Sequence, residues 1–245
     1  MRISVVIPMY NEEKGIEQSL RTLHAALEKE LAPSDFEILA VNDGSTDRTG
    51  ALVSALCGEL SCLRLVELSK NSGKGGALKE GMTKARGAFV LFTDSDLAYG
   101  TKNVLSFLSA FEEGKGQAIL GSRALAQKGY TGYSFLRKAL SKGYLQLIKL
   151  VAGFSYSDSQ CGIKGFERSL AHGLFSELET VGFAFDLEIL LALKDQKAAV
   201  YEMPVRIINH GTSSVHPVRD SARMFRDLLT IKKRRKERLK RSKSN

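Results

Sequence analysis

Two aspartates two positions apart, Asp94 and Asp96, carry the strongest chemical signal in the sequence. They follow an apolar run, residues 88–92, that is typical of a buried strand. Carboxylates this close repel each other unless a cation or hydrogen-bond donors compensate them. A divalent ion that also contacts a diphosphate fits, because Mg²⁺ takes one or two carboxylates together with substrate phosphates. The alternative is a helix N-cap, where the helix dipole favours acidic side chains.

Polar residues also follow two other apolar runs. Residues 8–12 follow the run 3–7, and residues 42–45 follow the run 36–41. Asp43, in the second cluster, could accept a hydrogen bond from a nucleotide base or a ribose hydroxyl, or could serve only as a turn residue.

A glycine-rich segment, residues 72–76, contains one cation, Lys74. Backbone N–H groups and a lysine in such a segment can bind a phosphate. The same residues are equally typical of a flexible turn before a helix. The sequence has neither a Walker A pattern nor G-x-G-x-x-G after its first apolar run. This disfavours P-loop hydrolysis and ordinary dinucleotide binding.

The elements that must position these residues alternate along the chain. Strands are predicted over 3–7, 36–41, 63–68, 88–92 and 118–120, and helices over 15–31, 47–60, 76–86 and 102–113, with Thr46 or Asp47 as the cap of the second helix. This order predicts an α/β fold with a mostly parallel central sheet and helices on both faces. Ligands of such sheets bind beyond the carboxyl ends of the strands, where the polar clusters lie.

Charge and cysteine content limit the classes of function. The 245 residues carry a net charge of +9, and residues 232–243 alone contribute +8. A nearly neutral body argues against a nucleic-acid binder, and the basic tail fits either an anionic phospholipid surface or plain solvation. Three cysteines without metal-ligand spacing favour a reducing compartment.

A basic amphipathic helix is predicted over residues 134–153, suited to a membrane interface or to packing on the core. A second basic helix, residues 220–240, is predicted to run into the tail. No run reaches the about 18 apolar residues of a membrane span. We therefore expect a cytoplasmic protein held peripherally on the cytosolic face of a membrane. The expected organisation is one domain, 1–231, with halves 1–122 and 123–231, followed by a tail, 232–245.

Four blocks together resemble the family 2 glycosyltransferases with the GT-A fold. They are Val5–Glu12, Val41–Asp47, Asn71 with Gly73–Ala77, and Thr93–Asp96. Two later segments, Asp158–Phe166 and Gly182–Glu188, are similar to the polyprenyl-phosphate branch, the dolichyl-phosphate glucose and mannose synthases. The chain has no Trp, so the Gln-X-X-Arg-Trp motif of processive polysaccharide synthases is absent.

The resemblance implies a set of site residues. A nucleotide-sugar pocket is expected from Pro8, Tyr10, Glu12, Asp43, Lys74 and Asp94, with Asp43 at the base, and a Mg²⁺ or Mn²⁺ site from Asp94 and Asp96. Arg123 would contact a phosphate, and Arg137 and Ser141 would hold the acceptor phosphate.

The implied reaction is inverting transfer of a hexose from a nucleotide sugar to a polyprenyl phosphate. UDP-glucose is favoured over GDP-mannose, because Ala98 replaces a Gln of the mannose synthases and residues 183–186 look closer to the glucose synthases. Residues 211–214 lack a lysine that the family tends to have there. A phosphomonoester, whose second pKa is about 6, is an anionic nucleophile at neutral pH and needs no base. Asp186 is held in reserve as a base, with a helix N-cap as its favoured role.

Three alternatives remain open. A family 2 enzyme acting on a saccharide or protein would need a carboxylate base near its acceptor. A nucleotidyltransferase would release pyrophosphate. A non-catalytic adaptor would bind membranes or RNA through the basic tail.

Overall fold

The computed structural model of the chain describes residues 1–127, 153, 156–182, 184–208 and 227–237. The strands in these ranges are β1 (Ile3–Met9), β2 (Phe36–Asn42), β3 (Leu63–Glu67), β4 (Phe89–Phe92), β5 (Ala118–Ser122), β6 (Lys164–Glu167) and β7 (Val200–Pro204). The helices are α1 (Ile16–Glu28), α2 (Thr49–Glu59), α3 (Gly73–Lys84), α4 (Thr101–Glu112), α5 (Arg168–Ser176) and α6 (Phe185–Asp195). Residues 227–237 are also helical and are called the C-terminal helix below.

The strands form one sheet in the order β3-β2-β1-β4-β6-β5-β7. Strand β6 runs antiparallel to both of its neighbours, and the other pairings are parallel. The carboxyl ends of β1, β2 and β4 therefore meet at one edge. The register pairs Met9 with Asn42 and Val6 with Phe92, so the polar residues that follow β1, β2 and β4 leave the sheet side by side.

Alternation along the strands gives the sheet two apolar faces. On one face Val6, Val41 and Phe92 pack with α3, α5 and α6. On the other face Val5 and Ile7 pack with α1, α2 and α4. Helices must cover both faces because neighbouring residues of a central strand point to opposite sides and both sides are apolar.

The predicted α/β class, with a mostly parallel sheet between helical layers, is confirmed. Two helix starts differ from the prediction. Helix α2 begins at Thr49, after Arg48, although the Asp47 carboxylate does accept the Thr49 N–H at 2.9 Å. Helix α3 begins at Gly73 rather than residue 76. The Ser72 N–H donates to the Asp43 carboxylate and the Gly75 N–H to the Val181 carbonyl, and these bonds offset the low helix propensity of glycine.

The antiparallel strand β6 was not predicted. It is four residues long, and its Lys164 is fully buried, so the usual alternation of apolar and polar residues is missing. Strand β6 lies between β4 and β5. Without it, these two strands, which follow each other in the predicted pattern, would be neighbours.

The C-terminal helix crosses the expected start of the basic tail at residue 232. Leu228 and Ile231 are buried in the core face formed by α3, α5 and α6. Arg235 donates to the Asp195 carboxylate at the end of α6, with Nε 2.6 Å from Oδ2. Part of the basic segment is therefore docked on the domain. Residues 134–152 of the predicted helix 134–153, and residues 238–245, fall outside the described ranges.

Candidate active site

The turn after β4 holds the two aspartates found in the sequence. The Asp94 carbonyl accepts the Leu97 N–H at 3.0 Å, and the Asp96 carboxylate accepts the Ala98 N–H at 2.9 Å. Leu97 takes a φ of +49°, which closes the turn. Partial burial and the charge of Asp94 raise the pKa of Asp96 above its ordinary value. The turn therefore holds two carboxylates in a position that electrostatics alone disfavours.

Lys74 forms an ion pair with Asp94. It lies in the first turn of α3, and its Nζ donates to Asp94 Oδ1. Burial lowers the pKa of the Lys74 ammonium, but the charges of Asp94, Asp186 and Asp96 outweigh this and raise it. The glycine-rich segment is thus the start of a helix, and it delivers its one cation to the aspartate turn.

Glu12 brings a third carboxylate from the end of β1. The Ser95 hydroxyl donates to its Oε1 at 3.1 Å, and the Glu12 N–H donates to Thr49 Oγ1 at 2.8 Å. Burial, together with the charges of Asp96, Asp47 and Asp94, raises the pKa of Glu12 despite the Ser95 hydrogen bond. Glu12, Asp94 and Asp96 therefore form one acidic group at the sheet edge.

Asp43 ties the end of β2 to the start of α3. Its buried carboxylate accepts the Ser72 N–H at 2.7 Å, and burial raises its pKa in spite of this bond. Gly44 has a φ of +65°, and a Cβ there would lie 2.5 Å from the Lys70 carbonyl carbon. Asp43 therefore helps to position the helix that carries Lys74. Its expected contact with a nucleotide base stays a prediction.

Pro8 and Tyr10 lie where β1 leaves the sheet. Pro8 is half-buried and pairs with Val41, and Tyr10 is 44% exposed. Asn11, with a φ of +56°, accepts the Thr46 N–H through its side chain at 2.8 Å. These contacts connect the β1 and β2 ends into one rim.

A buried ion pair lies behind the acidic group. Lys164 is fully buried, and its Nζ lies 2.6 Å from Asp186 Oδ1 and 2.6 Å from the Cys161 carbonyl oxygen. Burial raises the pKa of Asp186, opposed by Lys164 and Lys74. The N-cap role favoured for Asp186 is wrong: Ala184 is the N-cap of α6, and the Asp186 side chain pairs with Lys164 instead.

The backbone of Gly162 lies close to the Asp94 carboxylate. A Cβ on Gly162 would lie 1.9 Å from Asp94 Oδ2, so a side chain at this position would displace the carboxylate or the segment. The Gly162 N–H donates to the Tyr99 hydroxyl at 3.1 Å. The segment before β6 therefore forms part of the wall of the site.

Arg123, at the end of β5, pairs with Asp158. Its Nε lies 2.7 Å from Oδ2 and its Nη2 2.8 Å from Oδ1, with both side chains largely buried. Hydrogen bonds and charge from Arg123 overcome burial and lower the pKa of Asp158. The expected contact of Arg123 with a phosphate stays a prediction, and Arg137 and Ser141 lie outside the described residues.

A comparison with protein families gives the lineage. The model of Glycosyl transferase family 2 matches residues 4–175, well over half of the chain. The chain belongs to glycosyltransferase family 2. The expected resemblance is confirmed, and it spans the β1, β2 and β4 ends as well as the segment before β6.

Several relatives within this family share most of their length with the chain. It is 34% identical over 242 residues to the dolichyl-phosphate beta-glucosyltransferase of Drosophila melanogaster, covering 94% of this chain and 74% of the relative. It is 32% identical to the dolichyl-phosphate beta-glucosyltransferase of Saccharomyces cerevisiae, covering 94% of this chain and 74% of the relative. It is 31% identical to the Homo sapiens protein of the same name, covering 95% of this chain and 75% of the relative.

Solved structures confirm the GT-A fold of this family 2 member. The glucosyl-3-phosphoglycerate synthase of Mycobacterium tuberculosis, crystallised with Mn²⁺, UDP-glucose and phosphoglyceric acid, superposes with a TM-score of 0.69. It is 22% identical and the match covers 94% of this chain and 78% of that one. At this identity the likeness concerns the fold.

The donor set of the family 2 site fits a divalent cation. Asp94 and Asp96 offer hard oxygen ligands, and burial together with neighbouring carboxylates raises the pKa of both Asp96 and Glu12. Within the described ranges no group of three or more His, Cys, Asp or Glu side chains is arranged to hold a metal by itself. An ion held by Asp94 and Asp96 would complete its coordination with water or with oxygen atoms of a bound substrate.

Proposed function

We propose that the chain transfers glucose from UDP-glucose to a polyprenyl phosphate such as dolichyl phosphate, with inversion at the anomeric carbon. The observation that carries the proposal is the group of Glu12, Asp94 and Asp96 with Lys74 at the carboxyl ends of β1 and β4. The relatives named dolichyl-phosphate beta-glucosyltransferase, 31–34% identical over most of their length, support the acceptor.

The residues have distinct parts in the proposed reaction. Asp94 and Asp96 hold Mg²⁺ or Mn²⁺, which supplies charge stabilisation for the departing diphosphate. Pro8, Tyr10 and Glu12 line the donor pocket, and Asp43 contacts the base. The bond from the anomeric carbon to the UDP oxygen breaks as the acceptor phosphate oxygen forms its bond from the opposite face. UDP leaves with the electron pair.

The ion pair of Asp186 with Lys164 favours a phosphate acceptor over a saccharide hydroxyl. A hydroxyl acceptor needs a base, whereas a phosphomonoester is already anionic at neutral pH. Asp186 is the alternative candidate for a base. Its carboxylate accepts a hydrogen bond from the buried Lys164 ammonium, with Oδ1 2.6 Å from Nζ, and its side chain is only 10% exposed. A phosphate acceptor removes the need for it.

Transfer of radiolabel tests this proposal. The full chain is incubated with labelled UDP-glucose or GDP-mannose, Mn²⁺ or Mg²⁺, and dolichyl phosphate in detergent, and the lipid is extracted. We expect label in the lipid from UDP-glucose, a β-linked product, and none with dolichol lacking the phosphate.

Parallel assays with saccharide or peptide acceptors, and binding assays with RNA and vesicles, identify the alternatives. Equal transfer to a saccharide or peptide without lipid would assign the saccharide or protein acceptor. Failure to bind either nucleotide sugar, together with salt-dependent binding to RNA or vesicles, would assign the non-catalytic adaptor.

We further propose that the C-terminal helix contributes to peripheral attachment at an anionic membrane, on its cytosolic face. Leu228 and Ile231 are buried in the core, and a stripe formed by Leu229 with Lys232, Lys233 and Lys236 is exposed. The described residues contain no helix with the length and hydropathy that a bilayer crossing requires. A basic surface stripe with one apolar residue suits the interface.

Charge reversal tests the attachment. Replacing Lys232, Lys233 and Lys236 by Glu should reduce cosedimentation with phosphatidylserine vesicles about tenfold or more, because each basic residue contributes about 1 kcal/mol near such a surface. The matched control replaces the exposed Lys14, Lys29 and Lys102 by Glu. Equal loss in both triple variants would show that only net charge matters.

A further inference from the structure

Among the described residues, Asp94 lies in a group of carboxylates and ammonium groups. The carboxylates are those of Glu12, Asp94, Asp96 and Asp186, and the ammonium groups are those of Lys74 and Lys164. Lys164 is fully buried and already engaged by Asp186 and the Cys161 carbonyl. Lys74 is therefore the ammonium in this group that can change partners.

Exposure supports a replaceable pairing at Asp94. The Lys74 and Asp94 side chains are 24% and 32% exposed, whereas those of Lys164 and Asp186 are 0% and 10% exposed. Lys74 carries its ammonium on a flexible four-carbon stem from the first turn of α3, whereas the short Asp94 side chain leaves the hydrogen-bonded turn after β4. Lys74 therefore has the greater reach to a new partner.

We infer that Lys74 is the counter-ion of Asp94 in the free protein, that a divalent ion must displace it, and that the donor diphosphate receives the displaced ammonium. This inference rests on the proposed function, since it requires a nucleotide diphosphate at the site. Lys74 then opposes metal binding to the free protein and supports it when the nucleotide is present. Metal and nucleotide become coupled through one side chain, and such coupling acts equally on both affinities.

Electron paramagnetic resonance of Mn²⁺ tests this coupling without measuring turnover. Free Mn²⁺ is titrated with the full chain, with and without UDP, after subtraction of the Mn²⁺ that UDP alone binds. In the wild type UDP should tighten Mn²⁺ binding at least fivefold. In Lys74→Gln, Mn²⁺ should bind the nucleotide-free protein about tenfold more tightly than the wild type does, and the tightening by UDP should shrink.

Two variants serve as controls. Lys74→Arg keeps a cation for Asp94 and should keep the wild-type pattern, which shows that charge matters and that α3 tolerates the change. Lys84→Gln removes a lysine from the last turn of the same helix, where it pairs with Glu80, and should also behave as wild type.

The outcomes separate the two proposals. If the wild type shows tightening by UDP and Lys74→Gln matches it in both titrations, the role of Lys74 is wrong while the proposed function stands. If the wild type binds neither Mn²⁺ nor UDP when both are present, the proposed function and this inference both fail.

Discussion

At Asp96 the protein disfavours the charged form of the carboxylate. Partial burial and the neighbouring Asp94 charge raise the pKa of Asp96, so its ionised form is penalised when no cation is bound. Such a penalty is typical of residues that a substrate or metal compensates. The Ala98 N–H bond to the Asp96 carboxylate stabilises the charge, as in an ordinary cap, but it does not offset this penalty.

Asp96→Asn should therefore lose activity without losing stability. We expect transfer to fall about 100-fold or more, since metal stabilisation of the leaving diphosphate is worth several kcal/mol. The Tm in metal-free buffer should stay equal or rise, because the amide carries no charge. Glu30→Gln, at an exposed position, is the control for the loss of one negative charge. A Tm several degrees lower would assign Asp96 a structural role.

The pKa of Asp158 is shifted in the opposite direction to that of Asp96. Its pairing with Arg123 lowers its pKa despite burial, so ionised Asp158 stabilises the folded state. That contribution is complete above the ordinary aspartate pKa and is lost as pH falls through the lowered folded value, below about pH 4. Removing one partner of a buried pair costs about 3–5 kcal/mol.

Urea unfolding across pH checks this. Asp158→Asn should be less stable than the wild type by about 3–5 kcal/mol at pH 7, and the difference should narrow below about pH 4. A constant difference from pH 7 to pH 3 would mean that the loss comes from packing rather than from the charge of Asp158.

Elements place these side chains through close backbone contacts. The Gly75 N–H donates to the Val181 carbonyl at 2.8 Å, and the start of α3 thereby rests on the segment before α6. Gly162 places the segment before β6 directly against Asp94. Glycine at these positions serves close approach rather than turn geometry.

Gly162→Ala should disable the site while the fold persists. A Cβ 1.9 Å from Asp94 Oδ2 forces the carboxylate or the segment to move, so we expect the Kd for UDP with Mn²⁺ to rise at least tenfold. Gly173→Ala is the matched control, because a Cβ there meets nothing within 4 Å. Unchanged nucleotide binding in Gly162→Ala would contradict the placement of Asp94.

The sequence predicted the strand ends well because each was a run of apolar residues followed by a polar turn. Asp94, Asp96 and Glu12 were found in this way. Lys164 and Asp158 were missed, since a buried lysine and a buried aspartate look like surface residues until their partners, 22 and 35 positions away, are known. The start of α3 was missed because three glycines mask it.

At the scale of the molecule, a two-faced sheet supports one functional edge. The parallel strands β1, β2 and β4 bring their carboxyl ends together, while two apolar layers hold the sheet from both sides. The C-terminal helix belongs to one of these layers. The composition of residues 232–243 had suggested a separate tail, because charge dominates that stretch and the anchoring residues precede it.

Leu228→Ala tests whether that helix belongs to the folded unit. Leu228 is fully buried and Leu229 is 50% exposed, so neighbouring leucines serve as test and control. We expect Leu228→Ala to lower the free energy of unfolding by about 2–4 kcal/mol, and Leu229→Ala to change it by less than about 0.5 kcal/mol. Equal small effects would show that the helix is not docked in solution.

The central claim is that paired carboxylates at the β4 end bind the donor diphosphate through a divalent ion. Isothermal titration of UDP-glucose into the wild-type chain, in Mn²⁺ and again in excess EDTA, tests it most directly. We predict that EDTA weakens binding at least tenfold and that Asp96→Asn in Mn²⁺ shows the same weak binding. Equal affinity for UDP-glucose with and without the metal would contradict the claim.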